Sequence, residues 1–240
     1  MNLTPRRPAA FTLVELLTVI AIIAILMGIL FPAIGIVKDQ ANKTRARNAC
    51  LQIVAAVKQY NVEYGKYPIV EDPPADATKD AVCGSEKAIS GGSPIKNSEI
   101  FNTLRAIPAG INGSGGGGGK SGSSTEHRMN PKRVVFFEDR GVPNADAPKG
   151  GFLDKVGGSN TDFKGCLYDP WGEQYSIVID QNVDNLLNNP PLPYTDFASP
   201  NEPRAGVGVF SLGKDGTCGN KGDKSYKLGS AVSDDVVSWQ

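Results

Sequence analysis

The chain is poor in histidine and has no excess of charge of either sign. His127 is its only histidine, and its 25 Lys and Arg residues balance 25 Asp and Glu residues over 240 positions. A single histidine within a Ser- and Gly-rich stretch argues against His-based metal sites and against Ser-His-Asp or Cys-His catalysis. Zero net charge argues against holding nucleic acid by bulk electrostatics. We therefore expect neither an enzyme nor a nucleic-acid partner.

The apolar residues are concentrated near the amino terminus. Residues 16–37 carry no charge, and as a helix of about 33 Å they can cross a hydrocarbon core of about 30 Å. Arg6 and Arg7 precede this run without an acid, so we expect the front end in the cytoplasm and everything beyond Lys38 to be translocated. A secretory signal would have a shorter apolar core and a cleavage site behind it.

Glu15 is the one acidic residue inside the apolar run. An acid at bilayer depth costs roughly 2.5–3.5 kcal/mol on insertion scales, so it calls for a partner. Two interpretations follow. Either Glu15 lies close enough to the interface to reach the headgroups, or it pairs with a positive group that exists only after processing or assembly.

The basic leader ending in Ala10, followed by Phe-Thr-Leu-Val-Glu, resembles the class III signal of type IV prepilins and of type II secretion pseudopilins. The resemblance implies that prepilin peptidase cuts between Ala10 and Phe11 and methylates the new amine. It further implies that Glu15 neutralises the amine of a neighbouring subunit during assembly, and that Pro32 is the proline that loosens the helix. Leaders of this family usually end in Gly, whereas this one ends in Ala10.

The sequence predicts an α+β fold built on one long helix from Phe11 to about Tyr64, where Gly65 and Pro68 end it. The first half is apolar all round. The second half has one apolar stripe at helical spacing, suited to packing on a small antiparallel sheet; the stripe consists of Ala46, Cys50, Ile53, Val57, Tyr60 and Tyr64. The expected segments are a leader at 1–10, a transmembrane and assembly helix at 11–37, its amphipathic continuation at 38–67, a variable loop-rich insert at 68–164, and a sheet with a calcium-type loop at 165–240.

Within the insert, a short helix is predicted at Asn97–Arg105 and an edge strand at Val134–Phe137. The Gly-rich run at 110–127 is typical of a loop. It does not match a phosphate-binding loop, because Ser114 stands where the first glycine of that motif is required.

The carboxy-terminal part contains a DPWG turn at 169–172, strands at 174–179 and 207–212, and the strings SLGKDG and DDVVSW. Together these motifs resemble the major pseudopilin of type II secretion more than an adhesive pilin. The resemblance implies a calcium site. Its ligands would be the carbonyl of Leu212, Asp215, and Asp234 or Asp235, with Asp223 as an alternative because the loop is longer here. Calcium does take six to eight oxygen ligands, although these acids could equally be turn residues and solvated groups.

Cys50, Cys83, Cys166 and Cys218 all follow the membrane segment, so they would meet an oxidising periplasm. Four cysteines allow three pairings, and the sequence does not choose among them. The hypothesis retained is Cys50 with Cys83 and Cys166 with Cys218, while Cys50 could equally be a buried free thiol.

The function expected from these patterns is that of a structural subunit of a periplasmic pseudopilus in a type II secretion system, anchored by a single pass in the inner membrane before it is extracted into the filament. Its expected partners are prepilin peptidase, other copies of itself, minor pseudopilins, the inner-membrane assembly platform and the lipid bilayer. The alternatives are a type IV pilus subunit for adhesion, motility or DNA uptake, and a membrane-anchored periplasmic binding protein.

Overall fold

A computed structural model describes residues 12–68, 80–88, 95–109, 127–155, 163–188, 192–219, 221–228 and 231–239. The chain divides into two compact units, Met1–Ala41 and Asn42–Gln240. The helices are α1 (Leu13–Tyr64) and α2 (Asn97–Leu104), and the strands are β1 (Ala81–Cys83), β2 (Gly151–Phe152), β3 (Leu167–Tyr168), β4 (Ser176–Ile179), β5 (Val207–Ser211), β6 (Lys227–Leu228), β7 (Ala231–Val232) and β8 (Val236–Val237).

The long helix predicted from the sequence is confirmed. It begins at Leu13 and ends at Tyr64, where Gly65 takes a left-handed conformation (φ +68°) and donates its N–H to the carbonyl of Asn61 at 2.8 Å. Within the described part, α1 alone is long and apolar enough to span a membrane by length and composition. The predicted stripe is confirmed as well, since Ala46, Cys50, Ile53, Val57 and Tyr60 are fully buried in the second unit and Tyr64 is partly buried.

The main sheet is antiparallel and has the strand order β1-β4-β5-β8. Because side chains alternate across a strand, its two faces carry different apolar sets. One face packs with the α1 stripe and includes Ile177, Ile179, Val207, Val209 and Val236. The other face packs with the loops that follow β4 and β5 and includes Val178, Phe210 and Val237. The observed architecture is therefore the α+β fold that the sequence predicts.

The insert contributes more to the core than its composition suggests. β1 is an edge strand of the main sheet, with Ala81 paired to Ile179, and α2 buries Ile100, Phe101 and Leu104 in the same core. The edge strand predicted at Val134–Phe137 is wrong, since these residues form no strand. Instead, the N–H of Phe136 bonds to the carbonyl of Leu104 at the end of α2, and Val135 stays half exposed.

Candidate functional site

Glu15 lies in the first turn of α1, where it forms a capping box with Thr12. One carboxylate oxygen accepts the N–H of Thr12 at 2.9 Å and its hydroxyl at 2.8 Å, while the hydroxyl of Thr12 accepts the N–H of Glu15 at 3.2 Å. The sequence signal for this contact is Thr-x-x-Glu before an apolar run. In the single chain, Glu15 therefore has a local partner.

Of the other residues predicted for processing and assembly, the structure describes only Pro32. Ala10 and Phe11 lie outside the described residues. Pro32 lies inside α1, whose backbone is helical on both sides of it. The pairing of Glu15 with a processed amine involves a second copy, so it stays a prediction.

The loop after β5 is folded against the chain that leads into β8. Gly213 has φ +67°, and a Cβ at this position would lie 2.7 Å from the backbone carbonyl of Asp234. One oxygen of the Asp234 carboxylate accepts the N–H of Lys214 at 2.5 Å and the N–H of Asp215 at 3.1 Å. Only glycine fits such an approach without strain, which explains the glycine in the SLGKDG string.

Three carboxylates converge at this loop. Each of Asp215, Asp234 and Asp235 offers an oxygen, and these oxygens lie within 4.8 Å of one another. Asp215 is exposed, Asp234 is partly buried and Asp235 is buried. Burial, with a smaller contribution from the charge of Asp234, raises the pKa of Asp235 to about 7. Three acids this close repel one another when all are ionised, so a cation bound among them would relieve the repulsion.

The structure brings together most of the predicted calcium ligands, but not all. Asp223 lies outside the group of three acids found among the described residues, and its carboxylate accepts the N–H of Ser225 at 2.9 Å. The ligand predicted from Leu212 is its carbonyl, and its side chain is fully buried in the apolar cluster that contains Val178, Phe210 and Val237. Asp234 and Asp235, which the sequence offered as alternatives, are both present at the loop.

The chemistry of the donor set fits a calcium ion. Carboxylate oxygens are among the ligands that calcium takes. The second oxygen of the Asp235 carboxylate accepts the N–H of Gly219 at 2.7 Å. The first, Oδ1, is buried and has no hydrogen-bond partner within the described ranges. A buried carboxylate oxygen without a partner is costly, and a cation at this position would remove that cost.

Asp169, in the DPWG turn, connects this turn to the acidic loop. One oxygen of its carboxylate accepts the N–H groups of Trp171, Gly172 and Glu173 at 2.7–2.9 Å, and the other accepts the hydroxyl of Ser211 at 2.6 Å. The Ser211 hydroxyl in turn accepts the N–H of Gly213 at 3.2 Å. The sequence shows the Asp-Pro turn, but only the fold shows that the two motifs meet.

The four cysteines are buried free thiols, so neither hypothesised pairing, Cys50–Cys83 nor Cys166–Cys218, is present. Cys166 and Cys218 belong to different apolar clusters, and the thiol of Cys218 points to the carbonyl of Lys87 at 3.6 Å. Burial raises the pKa of the Cys83 and Cys218 thiols to about 12. The alternative that Cys50 is a buried free thiol agrees with the structure.

The amino-terminal region matches a known protein family model. Residues 5–31 fit the prokaryotic N-terminal methylation motif. No curated protein and no solved structure matches this chain.

This prepilin-type motif and the long apolar helix behind it are consistent with a type IV pilin-like protein. The motif implies processing by a prepilin peptidase and polymerisation into a filament, as in pilin-like proteins, and it is consistent with anchoring in the inner membrane.

Proposed function

We propose that this chain is a structural subunit of the periplasmic pseudopilus of a type II secretion system. The observation that carries the proposal is Glu15, an acid at the start of an apolar helix and within the methylation motif. Prepilin peptidase cleaves the chain before Phe11 and methylates its amine, and Glu15 pairs with that amine on a neighbouring copy. The filament also contacts minor pseudopilins and the inner-membrane assembly platform.

Assembly through Glu15 is tested with Glu15→Ala, and Thr12→Ala is the matched control. Both variants remove the capping box, which costs roughly 1 kcal/mol of helix stability, but only Glu15→Ala removes the charge that pairs with the amine. We expect Glu15→Ala to insert into the membrane and form no filaments, while Thr12→Ala still assembles. The amount of filament recovered from the periplasm, compared with the amount of membrane-bound subunit on immunoblots, measures both steps. Equal filament yields from the two variants would contradict the proposed pairing.

The choice of a secretion pseudopilus over an adhesive or motility pilus is supported by the carboxy-terminal motifs. The DPWG turn and the SLGKDG loop, which carry the resemblance to secretion subunits, are joined through Asp169, Ser211 and Gly213. Deleting the gene in its own host should abolish export of folded proteins to the medium. Loss of surface pili or of motility, with normal secretion, would instead favour a type IV pilus subunit.

We further propose that Asp215, Asp234 and Asp235 hold a calcium ion that closes the loop after β5 onto the carboxy terminus. The support is the convergence of the three carboxylates and the unpartnered buried oxygen of Asp235. When bound, calcium supplies positive charge that offsets the repulsion of the acids. Adding calcium to the chelator-treated full-length chain in detergent should raise its melting temperature, and Asp234→Ala should abolish the rise. No change in the melting temperature of the wild-type chain would remove the site.

A further inference from the structure

Residues 134–142 are bonded to the rest of the second unit through alternate residues, as an extended chain is. The N–H of Val134 donates to the side chain of Asn130 at 3.0 Å, and its carbonyl accepts from the same side chain at 2.7 Å. The N–H of Phe136 donates to the carbonyl of Leu104 at 2.8 Å. The bonded residues further along are Arg140 and Val142, which both bond to the backbone of Phe152. One side of the segment is therefore fixed to the protein.

The other side of the segment is an open edge. In an extended chain the N–H and C=O of one residue point to the same side, and successive residues alternate. The backbone groups of Val135 and Phe137 therefore point away from the bonded side, and they make no backbone hydrogen bond among the residues that the structure describes. The side chain of Val135 is 52% exposed. A row of unpaired backbone groups of this kind is a template for another strand.

The charges at the two ends of the edge are of opposite sign. Lys132 and Arg133 precede the apolar residues, Glu138 and Asp139 follow them, and all four are exposed. A parallel, in-register pair of two such segments would place like charges opposite each other, which is destabilising. In an antiparallel pair the basic end of one segment meets the acidic end of the other. The charge pattern therefore fits a second copy of the same segment.

We propose that residues 134–139 form a docking edge for a second copy of this chain, which pairs antiparallel with the same segment about a two-fold axis at Phe136. In this register Val135 and Phe137 of one copy exchange backbone hydrogen bonds with Phe137 and Val135 of the other. Arg133 of each copy then lies opposite Asp139 of the other. A register centred on Val135 would instead need Lys132 to meet Glu138, and Lys132 is already paired with Glu63.

This contact goes beyond the proposed function and does not depend on it. A two-fold contact closes after two copies, whereas the contacts of a filament repeat head to tail. One pair of short strands buries little surface, so the contact is weak between dilute chains. Chains held in one membrane meet at a higher effective concentration. The tests therefore use the full chain in lipid vesicles, without other assembly proteins.

The first test is disulfide trapping with Phe136→Cys, and Val135→Cys is the matched control. In the proposed register Phe136 faces itself in a non-hydrogen-bonded pair, whose Cα atoms lie about 4.5 Å apart and within reach of a disulfide. Val135 faces Phe137, so the two copies of Val135 are more than about 7 Å apart, beyond that reach. The wild-type chain is the blank, since its four thiols are buried.

We expect Phe136→Cys to give at least about 10-fold more linked dimer than Val135→Cys, although Val135 is the more exposed of the two residues. Random collisions would favour the more exposed position. Equal linking of the two variants would overturn the proposal. Linking of Phe136→Cys mainly to a different protein in host membranes would overturn it as well, because the occupant would then not be a second copy.

The second test reverses the charges at the ends of the edge, in the Phe136→Cys chain. Arg133→Asp places two acids opposite each other and should lower the yield of linked dimer roughly 10-fold. Arg133 has φ +54°, a conformation that Asp adopts more readily than most residues, so this change leaves the backbone in place. Adding Asp139→Arg restores opposite charges and should restore the yield. A double variant that links no better than Arg133→Asp would refute the antiparallel register.

A measurement on the wild-type chain keeps the test independent of how the variants fold. Hydrogen exchange at the amides of Val135 and Phe137 should slow as the chain-to-lipid ratio is raised, because these amides become bonded in the dimer. The amide of Phe136, which already bonds to Leu104, is the internal control and should not respond. Exchange at Val135 and Phe137 that is independent of this ratio would overturn the proposal, while assembly through Glu15 would be unaffected.

Discussion

Replacing Gly213 by alanine tests how tightly the acidic loop is closed onto the segment before β8. A Cβ at Gly213 would lie 2.7 Å from the backbone carbon, the carbonyl oxygen and a carboxylate oxygen of Asp234. Atoms cannot approach this closely, so Asp234 has to move. The move breaks at least one of the bonds that its carboxylate accepts from the N–H groups of Lys214 and Asp215.

Gly65 provides a matched control, because its φ of +68° equals that of Gly213 within a degree and no atom lies within 4 Å of its added Cβ. Both alanine variants pay roughly 1–2 kcal/mol for the left-handed backbone. Gly213→Ala also loses a hydrogen bond to a charged group, which contributes about 1.5–3 kcal/mol. At about 2–4 °C per kcal/mol for a domain of this size, we expect losses of about 2–8 °C for Gly65→Ala and about 5–20 °C for Gly213→Ala.

The assay is thermal unfolding of the full chain in detergent and chelator, followed by tryptophan fluorescence. Trp171 and Trp239 are the only tryptophans, and both lie in the second unit, so the signal reports unfolding of that unit alone. Equal melting temperatures for the two variants would refute the closed loop. Repeating the melts with calcium should show a normal calcium-dependent rise for Gly65→Ala and none for Gly213→Ala.

Two further predictions concern parts of the fold away from this loop. Arg105 forms a bidentate ion pair with Asp154 at 2.8 Å and lowers the pKa of the Asp154 carboxyl. The pair therefore stabilises the fold above pH 3.8, the ordinary pKa of Asp, and this stabilisation is lost as the pH falls through the lowered pKa. The Asp154 side chain is 42% exposed, so solvent screening limits the loss of unfolding free energy in Asp154→Asn to about 1 kcal/mol at pH 7. The melting temperatures of the variant and the wild type should converge as the pH is lowered from 7 to 2. A difference that stays constant with pH would contradict this role of the ion pair. In the native chain purified without reductant, the four buried thiols should not react with a thiol reagent, and all four should react after denaturation. Fewer than four reactive thiols in the denatured chain would indicate disulfides.

The helix, its stripe and the amino-terminal motif were predictable because each is a local pattern. A segment that is free of glycine and proline from residue 38 up to Gly65 and carries apolar residues every three or four positions has few alternatives to a helix. The stripe from Ala46 to Tyr60 then identifies the face that packs on the sheet. Strands β4 and β5 were predictable as short runs rich in β-branched and other apolar residues, and both strands are buried on both faces.

What the sequence does not show is pairing over long distances. β1 is three residues long and lies in an insert rich in Pro and Gly, so nothing local marks it as the edge of the main sheet. The choice among Asp223, Asp234 and Asp235 likewise needed the geometry of the loop.

Glu15 and Asp235 differ in how completely the single chain supplies hydrogen bonds to their carboxylates. This difference predicts different effects for the loss of each site. Glu15 accepts two hydrogen bonds from Thr12 within one helical turn, so its carboxylate already has hydrogen-bond donors in the monomer. Asp235 leaves one buried oxygen without a partner in the described part of the chain, so the proposed calcium ion would stabilise the second unit by binding there. Removing calcium should therefore lower the stability of the monomer itself. Replacing Glu15 should leave the monomer folded and prevent only assembly. A Glu15 variant with a destabilised monomer that still assembles, or calcium removal that blocks assembly without lowering monomer stability, would contradict the physical basis proposed for both sites.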